Sequence, residues 1–336
     1  MWFEQLMGFT EESPEQVRSN IVLDGSHLTS KVNGRSFAWG RLETPSLAEA
    51  RLWVDRNSMP ASRELCVQEA VADVRELHMD PRNAGALFQV ASQFNLLEMV
   101  SPNVTPEQGV GIYEHDRTQG PVCAIAAGAG TIYRNYFAPV NGEIGQRAGN
   151  QIDCLANLGQ ALGNTNAQLW QMRNGYALAT EQGLLSIGEM LEGCLPRERD
   201  RFKKMLRIGL QSNTQVTIGD ADHTVTQAYC SALPVAYSRL PSVLWAKFAT
   251  LVLEAAYEAT LLAGLRNYDM TGNNRVFLTL LGGGAFGNDR VWILDAIRGA
   301  LELYRDTGLE IILVSYGRSD PHVRALAEEF NPPNMK

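Results

Sequence analysis

Three consecutive glycines follow a run of apolar residues in the last third of the chain. The run Val276–Leu281 contains the β-branched and aromatic residues typical of a buried strand, and Gly282, Gly283 and Gly284 follow it directly. Glycine allows positive φ and carries no Cβ, so successive N–H groups can converge on an anion. Apolar residues recurring from Val291 predict a helix whose N-terminus adds partial positive charge. This stretch predicts a phosphate or diphosphate site; a turn that merely packs tightly is the alternative.

Two carboxylates and an imidazole lie within four residues, at Asp220, Asp222 and His223. Alternating residues on both sides predict a hairpin with this group at its tip. Such a group could transfer protons, and Asp-x-Asp could hold a divalent cation, although further metal ligands are not evident. A turn whose Asp side chains bond their own backbone is the alternative. We favour proton transfer because of the neighbouring sites, and a metal requirement stays open.

The elements that must position these groups alternate along the chain. Near-continuous apolar strands alternate with helices through the C-terminal two-thirds, which predicts an α/β sheet covered on both faces. Ligands in such sheets bind at the carboxyl ends of strands. Besides the glycine stretch, the candidates at such ends are Asn95, Glu98, Gly128 and Gly130. The last two follow the small-residue segment Val122–Ala127, which is expected either to pack tightly or to line a pocket.

Asp116 and Gln119 belong to a polar loop that precedes this small-residue segment. Their side chains could bind a ribose or another part of a substrate. A loop held by its own side chain–backbone hydrogen bonds is an equal alternative.

The glycine stretch resembles a known loop. Gly282-Gly283-Gly284-Ala285-Phe286-Gly287-Asn288 is similar to the second phosphate-binding loop of macrodomains, in particular those like poly(ADP-ribose) glycohydrolase. In that family the loop wraps the diphosphate of ADP-ribose, with Phe-Gly-Asn near the distal ribose. The resemblance implies a macrodomain-like three-layer α/β/α sandwich with a mixed sheet. It also implies that Asn95 bonds the distal ribose. It covers roughly Ala86–Tyr316 and is specific only at Val276–Asn288.

The activity that this resemblance implies is the reversal of ADP-ribosylation. The chain looks like the MavL-like divergent branch, which implies removal of ADP-ribose from arginine on a modified protein, with ubiquitin as one such partner. The catalytic Gly-Gly-Gly and Gln-Glu-Glu loop of the glycohydrolases is absent, so catalysis is assigned to Asp220, Asp222 and Glu98, with His223 as proton partner. The alternatives are an ADP-ribose reader without turnover and another nucleotide or sugar-phosphate hydrolase.

The composition excludes other classes of function. The chain of 336 residues is 45% apolar and carries a formal net charge of −8, which argues against a nucleic-acid-binding surface. Five scattered cysteines without a Cys-x-x-Cys pair predict free thiols in a reducing compartment. Neither signal-peptide features nor an apolar run of membrane-spanning length is evident. We expect a cytoplasmic protein that requires no cofactor and binds no membrane.

The domain organisation predicted is a single elaborated core. Residues 1–80 are expected to form an N-terminal extension packed on it, with a hairpin at Asn33-Gly34, a capped helix from Ser46 and a second helix over Cys66–Leu77. The resemblance implies that residues 81–330 form a macrodomain-like ADP-ribose-binding domain, with a helical insertion expected at about 145–210. A long helix at Val243–Leu265, apolar almost all round, should be buried between layers.

Overall fold

The computed structural model describes residues 1–54 and 64–331. The strands are β1 Ile21–Asp24, β2 His27–Ser30, β3 Ser36–Ala38, β4 Arg41–Glu43, β5 Cys66–Val71, β6 Leu87–Ala91, β7 Pro139–Val140, β8 Glu143–Ile144, β9 Trp170–Arg173, β10 Tyr176–Ala179, β11 Gly209–Gln215, β12 Thr224–Cys230, β13 Arg275–Leu278 and β14 Glu310–Ser315. The α-helices are α1 Trp2–Met7, α2 Pro14–Asn20, α3 Leu47–Arg51, α4 Val74–Met79, α5 Gln119–Ala126, α6 Gly128–Tyr136, α7 Ala156–Leu162, α8 Glu181–Gly193, α9 Pro196–Lys203, α10 Ser242–Thr271, α11 Arg290–Leu303 and α12 Pro321–Phe330.

A seven-stranded sheet in the order β4-β11-β12-β6-β13-β14-β5 forms the centre of the protein. Strand β11 runs antiparallel to both of its neighbours, whereas the β12-β6-β13-β14-β5 pairs are all parallel. The carboxyl ends of β12, β6 and β13 therefore lie side by side at one end of the sheet. The predicted α/β class with a mixed sheet is confirmed.

Consecutive residues of β6 show the layers on either side of the sheet. Phe88 stacks on His78 of α4, with ring centroids 3.9 Å apart, whereas Gln89 donates to Thr260 of α10 at 3.0 Å. Successive side chains of a strand point to opposite faces, so α4 and α10 cover different faces of the sheet. Helices α5 and α6 lie with α4, while α3, α8, α9 and α11 surround α10. The result is the expected three-layer sandwich.

Helix α10 is the core helix that the sequence predicts, and it extends six residues beyond Leu265. By length and composition it could cross a membrane, although charged residues such as Glu254 and Glu258 interrupt its apolar run. In the protein, 89% of its most apolar window is buried. Burial on most sides is typical of a helix between layers.

Residues 1–80 do more than pack on the core. Strands β4 and β5 form the two edges of the central sheet, where they pair with β11 and β14. The predicted hairpin at Asn33-Gly34 is confirmed as β2-β3, and Ser46 and Glu49 form a capping box on α3. Residues 55–63 of the predicted extension lie outside the described residues.

Two predicted elements are wrong and a third is incomplete. The helix expected over Cys66–Leu77 is strand β5 followed by the short helix α4. The segment Val122–Ala127 ends no strand, because it belongs to α5, which continues after a break at Ala127 into α6. Small residues suit close packing in either element, so their pattern does not separate the two. The insertion at about 145–210 is helical but also contains the β9-β10 hairpin.

A charge cluster holds the layer around α10 together. Glu258 of α10 is 1% exposed and accepts hydrogen bonds from Arg51 of α3 at 2.7 and 2.9 Å. Lys203 of α9 lies 3.2 Å from the same carboxylate. Arg51 also forms a bidentate pair with Asp200. Glu258 is thus structural.

Removing this carboxylate should destabilise the fold. Glu258→Gln leaves the Arg51 and Lys203 charges without their buried partner, and we expect a loss of about 3 kcal/mol in the free energy of unfolding. Urea denaturation at neutral pH measures it. The control is Glu329→Gln, which breaks an exposed pair with Arg298 and should cost less than about 1 kcal/mol. Equal losses in the two variants would contradict the assignment.

Candidate functional site

A cleft opens at the carboxyl ends of β6, β12 and β13. It contains about 750 Å³ of empty space, part of it open to solvent. Its lining comes from the end of β6 and the segment after it, the loop before α5 and the start of that helix, the segment after β12, the β13–α11 loop and two tyrosines. The residues are Ala91–Gln93, Glu98–Val100, Asp116, Thr118–Pro121, Tyr176, Ala232, Tyr237, Thr279–Gly282 and Gly284–Phe286.

The β13–α11 loop needs glycine at two turning points. Gly282 has φ +74°, and a Cβ there would lie 2.4 Å from the Cβ of Ala232. Gly287 has φ +69°, and a Cβ there would lie 2.8 Å from the Cβ of Ala236. Any other residue at either position would be strained and would push the loop off the segment after β12.

The loop presents main-chain donors to the cleft. The amides of Gly284, Ala285 and Phe286 donate to no group in the described part of the chain, and all three residues line the cleft. Asn288 holds the loop against the segment after β12, because its Nδ2 donates to the Leu233 carbonyl oxygen at 2.8 Å. A row of free N–H groups next to a helix N-terminus is a binding site for an anion.

The predicted loop ligands therefore divide into two groups. Gly282, Gly284, Ala285 and Phe286 line the cleft, as the sequence predicts. Gly283, Gly287 and Asn288 do not line it and instead shape the loop. Asp289, rather than Asn288, is the N-cap of α11, and its side chain accepts from the Val291 amide at 2.8 Å.

Three aromatic rings form one wall of the cleft. Phe286 lies with its ring centroid 5.3 Å from Tyr176 and 5.5 Å from Tyr237, and the two tyrosines are 5.0 Å apart. The Tyr176 hydroxyl donates to the Met99 carbonyl at 2.6 Å, which fixes the ring. Such a wall can stack a base or another planar group beside the loop amides.

Glu98 is a buried carboxyl group at the cleft. Its side chain is 4% exposed, and Oε1 has no hydrogen-bond partner in the described chain. Burial raises the pKa of Glu98 well above its ordinary value, Arg134 opposes this shift, and Asp116 adds to it. The Glu98 amide donates to the Tyr113 hydroxyl at 3.0 Å, which fixes the backbone. Burial therefore favours the protonated form of Glu98, whose Oε1 lacks a partner in the described chain.

The start of α5 faces Glu98. A Cβ at Gly120 would lie 2.3 Å from Glu98 Oε2 and 2.0 Å from the Ala91 carbonyl oxygen, so only glycine fits there. Asp116 lines the cleft as predicted, although its Oδ1 accepts from the Thr118 amide at 2.8 Å in a turn of its own. The second predicted interpretation of this loop, a self-bonded turn, is thus also present.

Gln119 lines the cleft, but its side chain completes the sheet. Its Oε1 accepts from the Ala91 amide at 2.9 Å, and its Nε2 donates to the Gln89 carbonyl at 2.8 Å. These main-chain groups of β6 face the side of β13, where the ladder between the two strands has already ended. The amide of Gln119 is occupied on both atoms and is not a free ligand.

Asn95 does not reach the cleft. It is 0% exposed, donates to Gln151 at 2.8 Å and accepts from the Leu97 amide at 3.1 Å. Gly175 of the insertion covers it, since a Cβ there would lie 2.5 Å from Asn95 Oδ1. The ribose-binding role implied by the resemblance has no support in this geometry, because both polar atoms are used to shape the turn before Glu98.

The turn that contains Asp220, Asp222 and His223 lies at the opposite end of the sheet, where β12 begins. The β11-β12 hairpin is confirmed, but its turn precedes β12 and so lies at the amino end of that strand. His223 Nε2 lies 2.9 Å from the His78 carbonyl oxygen, and no residue of this turn lines the cleft. The described residues also contain no group of three metal-ligating side chains.

Gly128 and Gly130 are packing residues of α6 at that same end of the sheet. A Cβ at Gly128 would lie 2.7 Å from the Trp2 ring, and one at Gly130 would lie 2.8 Å from the Thr214 hydroxyl. Of the two interpretations of this small-residue segment, tight packing is the one that the structure supports.

Tyr176 and Tyr237 are cleft residues that the sequence analysis missed. A signal for Tyr176 was available, because Asn174-Gly175 between apolar residues is a hairpin motif, and it forms the turn between β9 and β10. Both turn residues have positive φ, at 46° and 80°. Nothing in the sequence around Tyr237 indicates its place beside the loop.

A comparison with solved structures finds poly(ADP-ribose) glycohydrolases. The enzyme from Deinococcus radiodurans in complex with ADP-ribose has a TM-score of 0.45 and 13% identity, with 87% of this chain and 94% of that chain covered. The enzyme from Thermomonospora curvata has a TM-score of 0.45 and 12% identity, with 94% and 95% covered. No protein-family model and no curated protein matches the sequence. Identity this low leaves the activity to be argued from this chain's own cleft.

The raised pKa of Glu98 should make the stability of the protein depend on pH. Between the ordinary pKa of 4.5 and the raised pKa of the folded state, the native protein binds the Glu98 proton and the unfolded chain does not. The stability that this proton supports falls as the pH rises through that interval. Glu98→Gln has no proton to lose, so we expect it to gain stability relative to the parent protein between pH 5 and pH 8.

Urea denaturation of both proteins at the two pH values measures this difference. Glu302→Gln, on the exposed face of α11, is the control, because its carboxyl lies in water. A stability difference between Glu98→Gln and the parent that is the same at both pH values would refute the raised pKa.

Proposed function

We propose that the protein binds ADP-ribose in this cleft and hydrolyses the bond between ADP-ribose and a modified protein. The observation that carries the proposal is that free loop amides and a buried carboxyl group with an unpartnered oxygen line the same cleft. The Gly284–Phe286 amides suit a diphosphate, and Glu98 suits the acid that a glycosidic bond requires. The resemblance of the 282–288 loop to the macrodomain diphosphate loop supports the same ligand.

The three aromatic side chains define how the ligand would lie. A diphosphate bound to the loop amides has Phe286 beside it, and Phe286 contacts Tyr176 and Tyr237. Adenine or ribose can stack on this wall while the sugar on the other side of the diphosphate reaches towards Glu98. The cleft thus offers a donor for each anionic group, an apolar surface for the planar group and an acid for the reacting centre.

Hydrolysis needs one proton donor and one acceptor. Glu98, whose raised pKa favours the protonated form, gives its proton to the leaving atom as the bond to C1″, the anomeric carbon of the distal ribose, breaks and an oxocarbenium-like sugar forms. Water then bonds to C1″, and its proton passes to a carboxylate. Asp116 suits this role, because its Oδ2 has no hydrogen bond in the described chain. No covalent intermediate on the protein is required.

The charges of the cleft extend the proposal to arginine-linked ADP-ribose. Among the described residues its lining contains two carboxyl groups, Glu98 and Asp116, and no Lys, Arg or His. Anions are held by main-chain dipoles alone, so a ligand that also carries a cation is favoured over one that is anionic throughout. A guanidinium group attached to C1″ would lie beside Asp116. The MavL-like resemblance favours the same linkage, with ubiquitin as the protein partner to test first.

A carboxylate placed in the loop should abolish ADP-ribose binding. Gly284→Glu is the variant, because a Cβ there meets nothing within 4 Å and the change leaves the fold intact. Repulsion at the amides should weaken binding by at least about a hundredfold in calorimetric titration, with AMP and NAD as comparison ligands. Gly193→Glu, at an equally open glycine of α8, is the matched control. Binding that survives Gly284→Glu would refute the diphosphate site.

Glu98→Gln should separate binding from turnover. The amide keeps the shape of the carboxyl but has no proton to give, so hydrolysis of arginine-linked ADP-ribose should fall by roughly 10²–10⁴ while ADP-ribose affinity changes little. Asp220→Asn and Asp222→Asn are the controls, since both residues lie at the opposite end of the sheet from the cleft. A parent protein that binds but releases no ADP-ribose from arginine-, serine- or glutamate-linked substrates would be a reader instead.

A further inference from the structure

The turn that delivers Glu98 to the cleft contains a strained residue. Leu96 has φ +65°, a region that bulky side chains rarely adopt and that clusters at functional sites. Its amide donates to the Gln93 carbonyl at 2.9 Å, which closes a tight turn two residues before Glu98. The Leu96 side chain is buried against Gly209, where a Cβ would lie 2.5 Å from it. A conformation of this kind persists only where its surroundings hold it.

Arg134 of α6 holds this turn from inside the protein. Its Nε donates to the Leu96 carbonyl at 3.1 Å, and Nη2 donates to the Thr131 hydroxyl at 2.9 Å. The guanidinium lies 3.6 Å above the Tyr229 ring, and the side chain is 0% exposed. Among the described residues no carboxylate lies within 4.0 Å of it. A buried cation without an ion-pair partner is costly, which makes a purely structural use of Arg134 an inefficient one.

We infer that Arg134 is a positioning residue for the proposed reaction, which holds the Leu96 turn so that Glu98 meets the substrate and places a positive charge behind the Glu98 carboxyl. The inference rests on the proposed function for its kinetic part only. Leu96 supplies the main-chain acceptor, and Glu98 is the next acidic residue along the same turn. The strain at Leu96 and the lack of an ion-pair partner for Arg134 are separate observations. Both concern groups that hold the turn leading to Glu98.

The groups that face Glu98 show why its titration reports on Arg134. Arg134 is the cation that opposes the raised pKa of Glu98, and Asp116 is the anion that adds to it. The other titratable neighbours have ordinary pKa values above physiological pH, and burial raises those values further: Tyr113, Cys123, Tyr176 and Tyr229. Removing the Arg134 charge while keeping its length should therefore raise the pKa of Glu98 further.

The experiment compares Arg134→Met with Arg134→Lys. The Glu98 carboxyl carbon is followed by NMR with ¹³C-labelled glutamate, assigned by its loss in Glu98→Gln, and kcat and KM are measured on ADP-ribosylated arginine. In Arg134→Met we expect the Glu98 titration to move to higher pH and kcat to fall roughly tenfold to a hundredfold, with KM nearly unchanged. Arg134→Lys should keep the titration, because it keeps the charge, but lose part of kcat, because it lacks the planar fork.

Arg266 provides the matched control. Its guanidinium also lies over an aromatic ring, Trp53, at 4.4 Å, and it pairs with Glu43 away from the cleft. Arg266→Met should leave both the Glu98 titration and kcat unchanged. A Glu98 titration that is the same in Arg134→Met and the parent would overturn the electrostatic role, whatever the substrate proves to be.

Hydrogen exchange tests the mechanical role even if Arg134→Met does not fold. In Arg134→Lys the amides of Leu97 and Glu98 should exchange at least about tenfold faster than in the parent, since the turn opens more often. Unchanged exchange would overturn the positioning role. A parent protein without hydrolytic activity would refute the proposed function but leave the titration and exchange results to decide the part played by Arg134.

Discussion

The cleft exists because two neighbouring strands part. The ladder between β6 and β13 ends at Phe88 and Phe277, whereas on its other side β6 stays paired with β12 as far as Ala91. Beyond that point the chain after β13 forms the glycine loop, and the cleft opens between the two strands. Parting leaves main-chain groups of β6 without a strand partner, and the side chain of Gln119 satisfies them. That bond also fixes the start of α5, and with it the wall that faces Glu98.

The electrostatics of the cleft follow from this geometry. Main-chain dipoles at the Gly284–Phe286 loop and at the start of α5 attract anions without carrying a net charge, so they can lie close to buried carboxyl groups without forming ion pairs with them. The pKa of Glu98 consequently stays raised in a site whose loop amides suit a phosphate. A lysine or arginine in the lining would bind phosphate more tightly but would also ionise Glu98 and remove the acid.

The local part of the site could be predicted from the sequence, and the assembled part could not. The 282–288 loop is encoded by residues whose backbone freedom is intrinsic, so the strand, the loop and the helix after it were predicted close to their observed places. Asn95 and Gln119 depend on partners far along the chain, and their types alone do not separate a ligand from a structural amide. Tyr176 reaches the cleft only because the insertion folds back over the turn at Asn95.

The error at Asp220, Asp222 and His223 has a topological reason. A turn that precedes a strand lies at the amino end of that strand, and ligands in parallel sheets bind at the other end. Proton transfer was favoured there because of the neighbouring sites, which lie at the other end of the strands. Glu98, by contrast, lines the cleft, in keeping with its place after a strand, although its burial and raised pKa depend on packing that no local pattern reveals.

The origin of the two edge strands has a consequence for the order in which the protein can fold. Cys66 pairs with Glu310, and Arg41 pairs with Ser212, so segments made early in synthesis wait for partners made much later. Strand β5 in particular has no neighbour in the sheet until β14 has left the ribosome. Closing such long loops is slow, and an unpaired strand is prone to aggregate in the interval. The residues that line the cleft run from Ala91 to Phe286, so the cleft is completed only after all of them have been synthesised.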